Sequence, residues 1–269
     1  MHLNKLLRKS IVNSENANRL RFSSVVESEV LKFQHIKEEW WNSDTKAGIA
    51  PLHSMNIQRT NFIVNNIDKN YNSKPLEGFS CLDVGCGGGL LTESLSRLGG
   101  KVKGIDPSEE NIKVAMQHAI EDPLTRNISY EVNTAESESD GVSGGKFDIV
   151  CALEVVEHVS NVGNFIKTLS NLVLPGGYLF ISTINRTSKS YLIGIIGAEY
   201  ITGIIKPGTH NWDKFITPRE LMAKVRSTDM KIKKVSGINY DILNCKWILS
   251  NDDMNMNYIL CAQKSLKDD

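Results

Sequence analysis

Nowhere in this chain do two cysteines stand in a CxxC pair. Its five cysteines, Cys81, Cys86, Cys151, Cys245 and Cys261, are scattered among apolar residues. That spacing argues against a zinc framework or a disulfide scaffold and for buried thiols in a reducing compartment. Net charge is missing too: 31 basic and 31 acidic residues cancel, so no overall field draws the protein to nucleic acid or to an anionic membrane. Such binding would need a local patch. No run reaches the ~18 to 20 apolar residues of a membrane-spanning helix, and there are no internal repeats or low-complexity tracts. What is present, 269 residues of which 41% are hydrophobic, suffices for one well-buried domain with appendages.

The N-terminus departs from this neutrality. Lys5, Arg8, Lys9, Arg19 and Arg21 face Glu15 alone, with Leu3, Leu6, Leu7 and Ile11 at helical spacing and several serines. This is the composition of a mitochondrial transit peptide, expected over residues 1–23, with an ordinary basic terminus as the competing reading. A helical cap is expected over 24–75 and the main domain over 76–269.

Helical spacing of Val30, Phe33, Ile36 and Trp40 predicts a helix over 27–48, ended by Trp40 and Trp41, and a second helix over 54–70. Short apolar runs then alternate with helical stretches. Strands are expected at 80–84, 101–105, 128–132, 147–153, 178–183, 232–237 and 258–263, with helices at 89–98, 108–120, 161–172 and 218–227. This alternation predicts an α/β, Rossmann-like fold: a seven-stranded, mostly parallel, doubly wound sheet with helices on both faces.

The sharpest local signal is CLDVGCGGGLL. An apolar strand runs into Gly85, Gly87, Gly88 and Gly89 and a helix begins at once, so the backbone comes close to a ligand where a Cβ would obstruct it. Asp106 closes the next strand, where a carboxylate accepts the two hydroxyls of a ribose; a purely structural turn would not need it there. A dinucleotide fingerprint counted from Gly85 requires Gly or Ala at position 90, which is Leu90. The loop reads acidic-x-Gly-x-Gly-x-Gly from Asp83 to Gly89 and resembles motif I of the class I S-adenosylmethionine-dependent methyltransferases.

In order along the chain, KFQHIKEEWWN, APLHSMNIQR, LDVGCGGGLL, VKGIDPS, ALEVVEHV, PGGYLFISTINR and GTHNWDKFITPREL resemble the ubiquinone-biosynthesis O-methyltransferase family. The resemblance implies a class I methyltransferase fold and S-adenosylmethionine as methyl donor. Arg59, Gly85, Asp106 and Leu153 match the family's cofactor-binding positions, and Asp83 and Gly87 complete the loop. It further implies a divalent metal, Mg²⁺ for preference, at Glu154, Glu157 and His158, which are also the catalytic candidates. The implied acceptors are catechol hydroxyls of polyprenylated dihydroxybenzoate and demethylubiquinol rings. The implied setting is the matrix side of the mitochondrial inner membrane, peripherally bound, in a complex with other ubiquinone-biosynthesis proteins and without nucleic acid.

The residues themselves leave two readings of EVVEH. At i, i+3 and i+4, Glu154, Glu157 and His158 would share one helical face after the fourth strand, and two carboxylates with an imidazole suit Mg²⁺, Mn²⁺ or Zn²⁺. Such an ion would chelate a catechol and stabilise its oxyanion. The other reading is an acid-rich helix start, with His158 capping or packing. His158 is the candidate general base if it does not bind metal, and His210 in GTHNW is a further pocket candidate.

An apolar insertion is expected over 184–217. Its centre, 191–205, holds Leu192, Ile193, Ile195, Ile196, Ile201, Ile204 and Ile205, with Arg186, Lys189 and Lys206 flanking it. It suits an interfacial membrane element or a buried helix over the pocket. Two further functions compete: methylation of an RNA-terminal ribose, disfavoured by the neutral charge, and a non-catalytic scaffold, disfavoured by the intact EVVEH residues.

Overall fold

The computed structural model describes residues 24–26, 28–30, 40–41, 50–68, 73–140, 145–192, 211–241, 244 and 246–266. The expected targeting segment, most of the expected helix over 27–48, residues 193–210 of the insertion with His210, and Cys245 lie outside them.

Eight strands form one sheet: β1 Ser80–Val84, β2 Lys101–Asp106, β3 Ser129–Val132, β4 Phe147–Leu153, β5 Val173–Ile184, β6 Met230–Asp241, β7 Lys246–Ser250 and β8 Asn257–Lys264, in the order β3-β2-β1-β4-β5-β8-β6-β7. The pairs from β3 through β5 are parallel, whereas β8 runs antiparallel to both β5 and β6. The central strands are near-continuous apolar runs because both of their faces are covered. Leu82, Val150, Ala152, Leu179 and Leu260 point to one layer, with Phe165, Ile166 and Leu169 of α5 (Val162–Leu172) and Leu221 and Val225 of α6 (Pro218–Arg226). Their alternates Cys81, Ile149, Cys151, Phe180 and Cys261 point to the other, under Met55, Phe62 and Ile63 of α1 (Ala50–Asn66) and Leu91 and Leu95 of α2 (Leu90–Arg97). The helix expected over 54–70 is thus α1, four residues earlier at its start, and it forms part of a covering layer of the sheet.

The sheet has one strand more than the seven expected. β7 pairs antiparallel with the end of β6, beyond Gly237, where the expected strand stopped. The pairing sets Tyr240 on Trp247, with ring centroids 5.3 Å apart, and packs Trp247 and Leu249 against the layer under α1, but the strand is too short to leave a long apolar run to read. Two further helices flank the site: α3 (Glu109–Ala119), capped by the Ser108 hydroxyl, and the short α4 (Ala135–Ser139), capped by Thr134. The latter was not expected, being polar apart from Ala135. Its Glu138 is buried between Lys103 at 2.6 Å and Lys146 at 2.5 Å.

Because β1 has β2 on one side and β4 on the other, their carboxyl ends open the crevice where doubly wound sheets bind ligands. Cys81, Cys86, Cys151 and Cys261 are free, buried thiols, as expected. Among the described residues no helix is long and apolar enough to cross a membrane.

Candidate active site

The loop after β1 is held in left-handed conformations at Gly85, Gly87 and Gly89, with φ of 71°, 53° and 94°. The N–H groups of Gly85 and Cys86 both donate to the Ile105 carbonyl, tying the loop to β2. Asp83 lies beneath it: Thr92 Oγ1 of α2 donates to Asp83 Oδ2 at 2.6 Å, and burial pushes this carboxyl up to about 7. Asp106 sits at the β2 terminus, buried, and receives Gly87 N on Oδ2 at 3.0 Å and Ser108 N and Asn111 Nδ2 on Oδ1 at 2.8 and 3.2 Å. Burial raises its pKa, and these three donors oppose the rise. Two carboxylate oxygens offer about four lone-pair sites, so a ribose hydroxyl still finds an acceptor.

One strand over, Glu154 follows β4 with φ of 57°, the one described non-glycine residue in the left-handed region. The next residues close into a single 3₁₀ turn, Val156–His158. This corrects the expected geometry: the kink at Glu154 precedes any helix, so Glu154, Glu157 and His158 do not share a helical face. Glu154 Oε1 accepts from Ser182 Oγ at 2.7 Å and faces Arg59 Nη2 at 3.1 Å, while its Oε2 accepts from Asn257 Nδ2 at 3.2 Å. Glu157 Oε2 accepts from Thr183 Oγ1 at 2.9 Å; burial first, and then the charge of Glu154, pushes its carboxyl up to about 8. His158 Nδ1 meets Glu29 Oε2 at 2.9 Å, and Lys214 Nζ reaches the other Glu29 oxygen at 2.8 Å.

The expected metal triad is therefore not assembled. Glu154 and Glu157 turn to separate donors and the imidazole is held by Glu29; among the described residues no group of three His, Cys, Asp or Glu side chains is placed to hold a metal ion. Arg59 differs in kind. Its 3.1 Å approach to Glu154 is an ion pair whose N–H vectors miss the oxygen, so Nε and Nη2 remain buried donors without an acceptor. Unused buried donors are costly, and a ligand carboxylate would satisfy them.

Residues 32–230 match a family described as a methyltransferase domain. The mitochondrial ubiquinone biosynthesis O-methyltransferase of Arabidopsis thaliana is 41% identical over 247 residues, which cover 90% of this chain and 75% of that protein. The ubiquinone biosynthesis O-methyltransferase of Pelagibacter ubique is 42% identical over 241 residues, covering 88% and 97%. The chain belongs to the ubiquinone biosynthesis O-methyltransferase family.

As a member, it is an S-adenosylmethionine-dependent O-methyltransferase. The fold of this O-methyltransferase is shared with a solved methyltransferase of Thermotoga maritima described as a possible histamine N-methyltransferase, at a TM-score of 0.60 and 15% identity, over 89% of this chain and 100% of that one. Gly85, Gly87, Asp106 and Leu153, the last buried at the end of β4, line up along the strand ends of the O-methyltransferase, and α1 brings in Arg59. Sequence reasoning missed Asn111, although Ser108 three residues before it is a cap signal. It also missed Glu29, for which no local signal exists, since its partner His158 is 129 residues away.

Proposed function

We propose that this enzyme methylates a catechol hydroxyl on a polyprenylated ring of the dihydroxybenzoate or demethylubiquinol type, with His158 receiving the proton. The observation that carries the proton path is the Glu29–His158 contact. Glu29 is paired with Lys214 and so acts as a carboxylate acceptor, which makes Nδ1 the protonated nitrogen of the ring and leaves the basic lone pair on Nε2. S-adenosylmethionine, when bound, supplies a methyl on a positive sulfur; the acceptor oxygen takes it, the carbon–sulfur bond breaks to leave neutral S-adenosylhomocysteine, and the hydroxyl proton is released. The chain's part is to hold the methionine carboxylate on the unused donors of Arg59, the ribose on Asp106, and the proton on His158. Glu29 also stabilises the imidazolium that results.

Glu154, Glu157 and His158 as placed do not fit the divalent ion that the resemblance implies, so the reaction is assigned to the chain's own groups. The reading is tested by mass analysis of a soluble catechol incubated with protein and S-adenosylmethionine, with and without chelator. A methylated product with the chelator present is expected. Turnover that requires added Mg²⁺ would overturn the His158 assignment in favour of an ion.

Location follows from the same reading. The relatives in Arabidopsis thaliana, Dictyostelium discoideum and Mus musculus are named mitochondrial, and the basic N-terminus agrees. We place the enzyme peripherally on the matrix face of the inner membrane, among other ubiquinone-biosynthesis proteins, with 191–205 as the element that meets the bilayer. Tyr191 and Leu192, its described residues, are exposed.

A further inference from the structure

The two tryptophans of EEWW have no part in the chemistry above, yet they pack directly on the glycine loop. A Cβ added to Gly88 would lie 2.4 Å from Trp40 Cγ, and one added to Gly87 would lie 2.4 Å from Trp40 Cη2. The long axis of the indole therefore runs along the loop, its proximal end on Gly88 and its distal end on Gly87. Trp40 is buried, and its Nε1 donates to Asn111 Oδ1 at 3.2 Å. Asn111 Nδ2 donates to Asp106 Oδ1, and Asp106 Oδ2 receives Gly87 N, which closes a ring of contacts back to the loop. Trp41 fastens the same segment from beside it: Nε1 donates to the Gly88 carbonyl at 2.9 Å, and its ring stacks on His118 with centroids 3.4 Å apart and planes 2° from parallel. His118 is fixed in turn by Glu93 at 2.7 Å, and His53 of α1 meets the Trp40 carbonyl at 2.6 Å.

We propose that Trp40 is a positioning residue for S-adenosylmethionine: its ring braces the Gly87–Gly88 backbone and, through Asn111, orients the carboxylate of Asp106 toward the ribose. Gly88 discriminates this from a loop shaped by the ligand alone. Gly87 needs its missing side chain for a φ of 53°, but Gly88 is not in the left-handed region, so what a Cβ there would strike is Trp40. The inference rests on the loop being the S-adenosylmethionine site.

The test is calorimetry with S-adenosylhomocysteine on the full chain, together with steady-state kinetics on a soluble catechol. Trp40→Ala should weaken binding roughly tenfold, the worth of one good hydrogen bond and its packing, raising KM for S-adenosylmethionine while kcat at saturation holds. Trp40→Phe should recover part of the loss, because it restores the ring and not the N–H. Gly88→Ala should weaken binding by displacing the ring, but add little in the Trp40→Ala background, where the space is empty. Wild-type affinity in Trp40→Ala or Gly88→Ala, or additive losses in the double variant, would overturn the proposal. If Trp40→Ala does not fold, Trp40→Phe and Gly88→Ala decide: wild-type affinity in either overturns it. Failure of the unmodified protein to bind S-adenosylhomocysteine would overturn the loop assignment and the proposal together.

Discussion

In the glycine loop, Asp83 is held by Thr92 nine residues on, and Asp106 by Ser108, Asn111 and, nineteen residues back, Gly87. In the turn after β4, the partners of Glu154 come from positions 59, 182 and 257, that of Glu157 from 183 and that of His158 from 29. Both regions stand at neighbouring strand ends of one sheet. The loop is largely assembled by one β-α-β unit, whereas the turn is assembled by the whole chain, from the N-terminal segment to β8. On the proposed reading the ribose end of the methyl donor is accordingly held by a local unit, whereas its carboxylate, through Arg59 of α1, and the acceptor depend on the whole chain.

Substitutions should separate the two regions. His158→Ala is expected to lower kcat by ~10²- to 10⁴-fold, the usual worth of a positioned general base, with S-adenosylhomocysteine affinity unchanged by calorimetry. Asp106→Ala is expected to do the reverse, weakening that affinity by about a hundredfold as charge-assisted bonds to the ribose are lost. If both variants lose affinity alike, the division into local binding and global activation fails.

A smaller effect is expected in the pH dependence of stability. Glu157 is raised in the folded state from 4.5 to about 8 by burial and by Glu154, so between those values the native state keeps a proton that the unfolded state has released. Its contribution to stability is whole below the unfolded pKa and is lost as pH rises through the folded one. The urea midpoint of the wild type should therefore fall between about pH 5 and pH 8 more steeply than that of Glu157→Gln. Equal slopes would mean that Glu157 is ionised throughout. On the membrane side, replacing Ile195, Ile196 and Ile204 by Ser should abolish flotation with anionic liposomes, since each aliphatic side chain contributes ~1.5 to 3 kcal/mol on burial. Turnover of a soluble catechol should persist. Smallest of all, Thr217→Ala removes the capping box of α6, away from both regions, and should cost about 1 kcal/mol in chemical denaturation without altering either kinetic constant.

The same contrast governs what the amino-acid order reveals. Gly85, Gly87 and Asp106 are recognisable because the strand, the turn and the next strand end lie within one short stretch, and the central strands β1, β4, β5 and β8 announce themselves by apolar runs buried on both faces. β7 stays hidden because its pairing, not its composition, makes it a strand. The shared helical face of Glu154, Glu157 and His158 fails for a conformational reason: spacing i, i+3, i+4 presumes that a helix starts at the first residue, and the φ of 57° at Glu154 delays it. Glu29 could not be found at all, since nothing near it in the chain signals a buried carboxylate partner for His158.

The sulfur atoms of the sheet give the molecule an internal timepiece. Cys81, Cys151 and Cys261 lie in the layer beneath α1 and α2, and burial pushes Cys81 and Cys261 up to about 12 and Cys151 well above the ordinary thiol value. Alkylation needs a thiolate and access, so in the closed protein all three are silent, and each labelled sulfur records one opening of that layer. Because α1 also carries Arg59, the labelling rate with and without S-adenosylhomocysteine measures how tightly ligand binding shuts the face that carries the proposed anchor for its carboxylate.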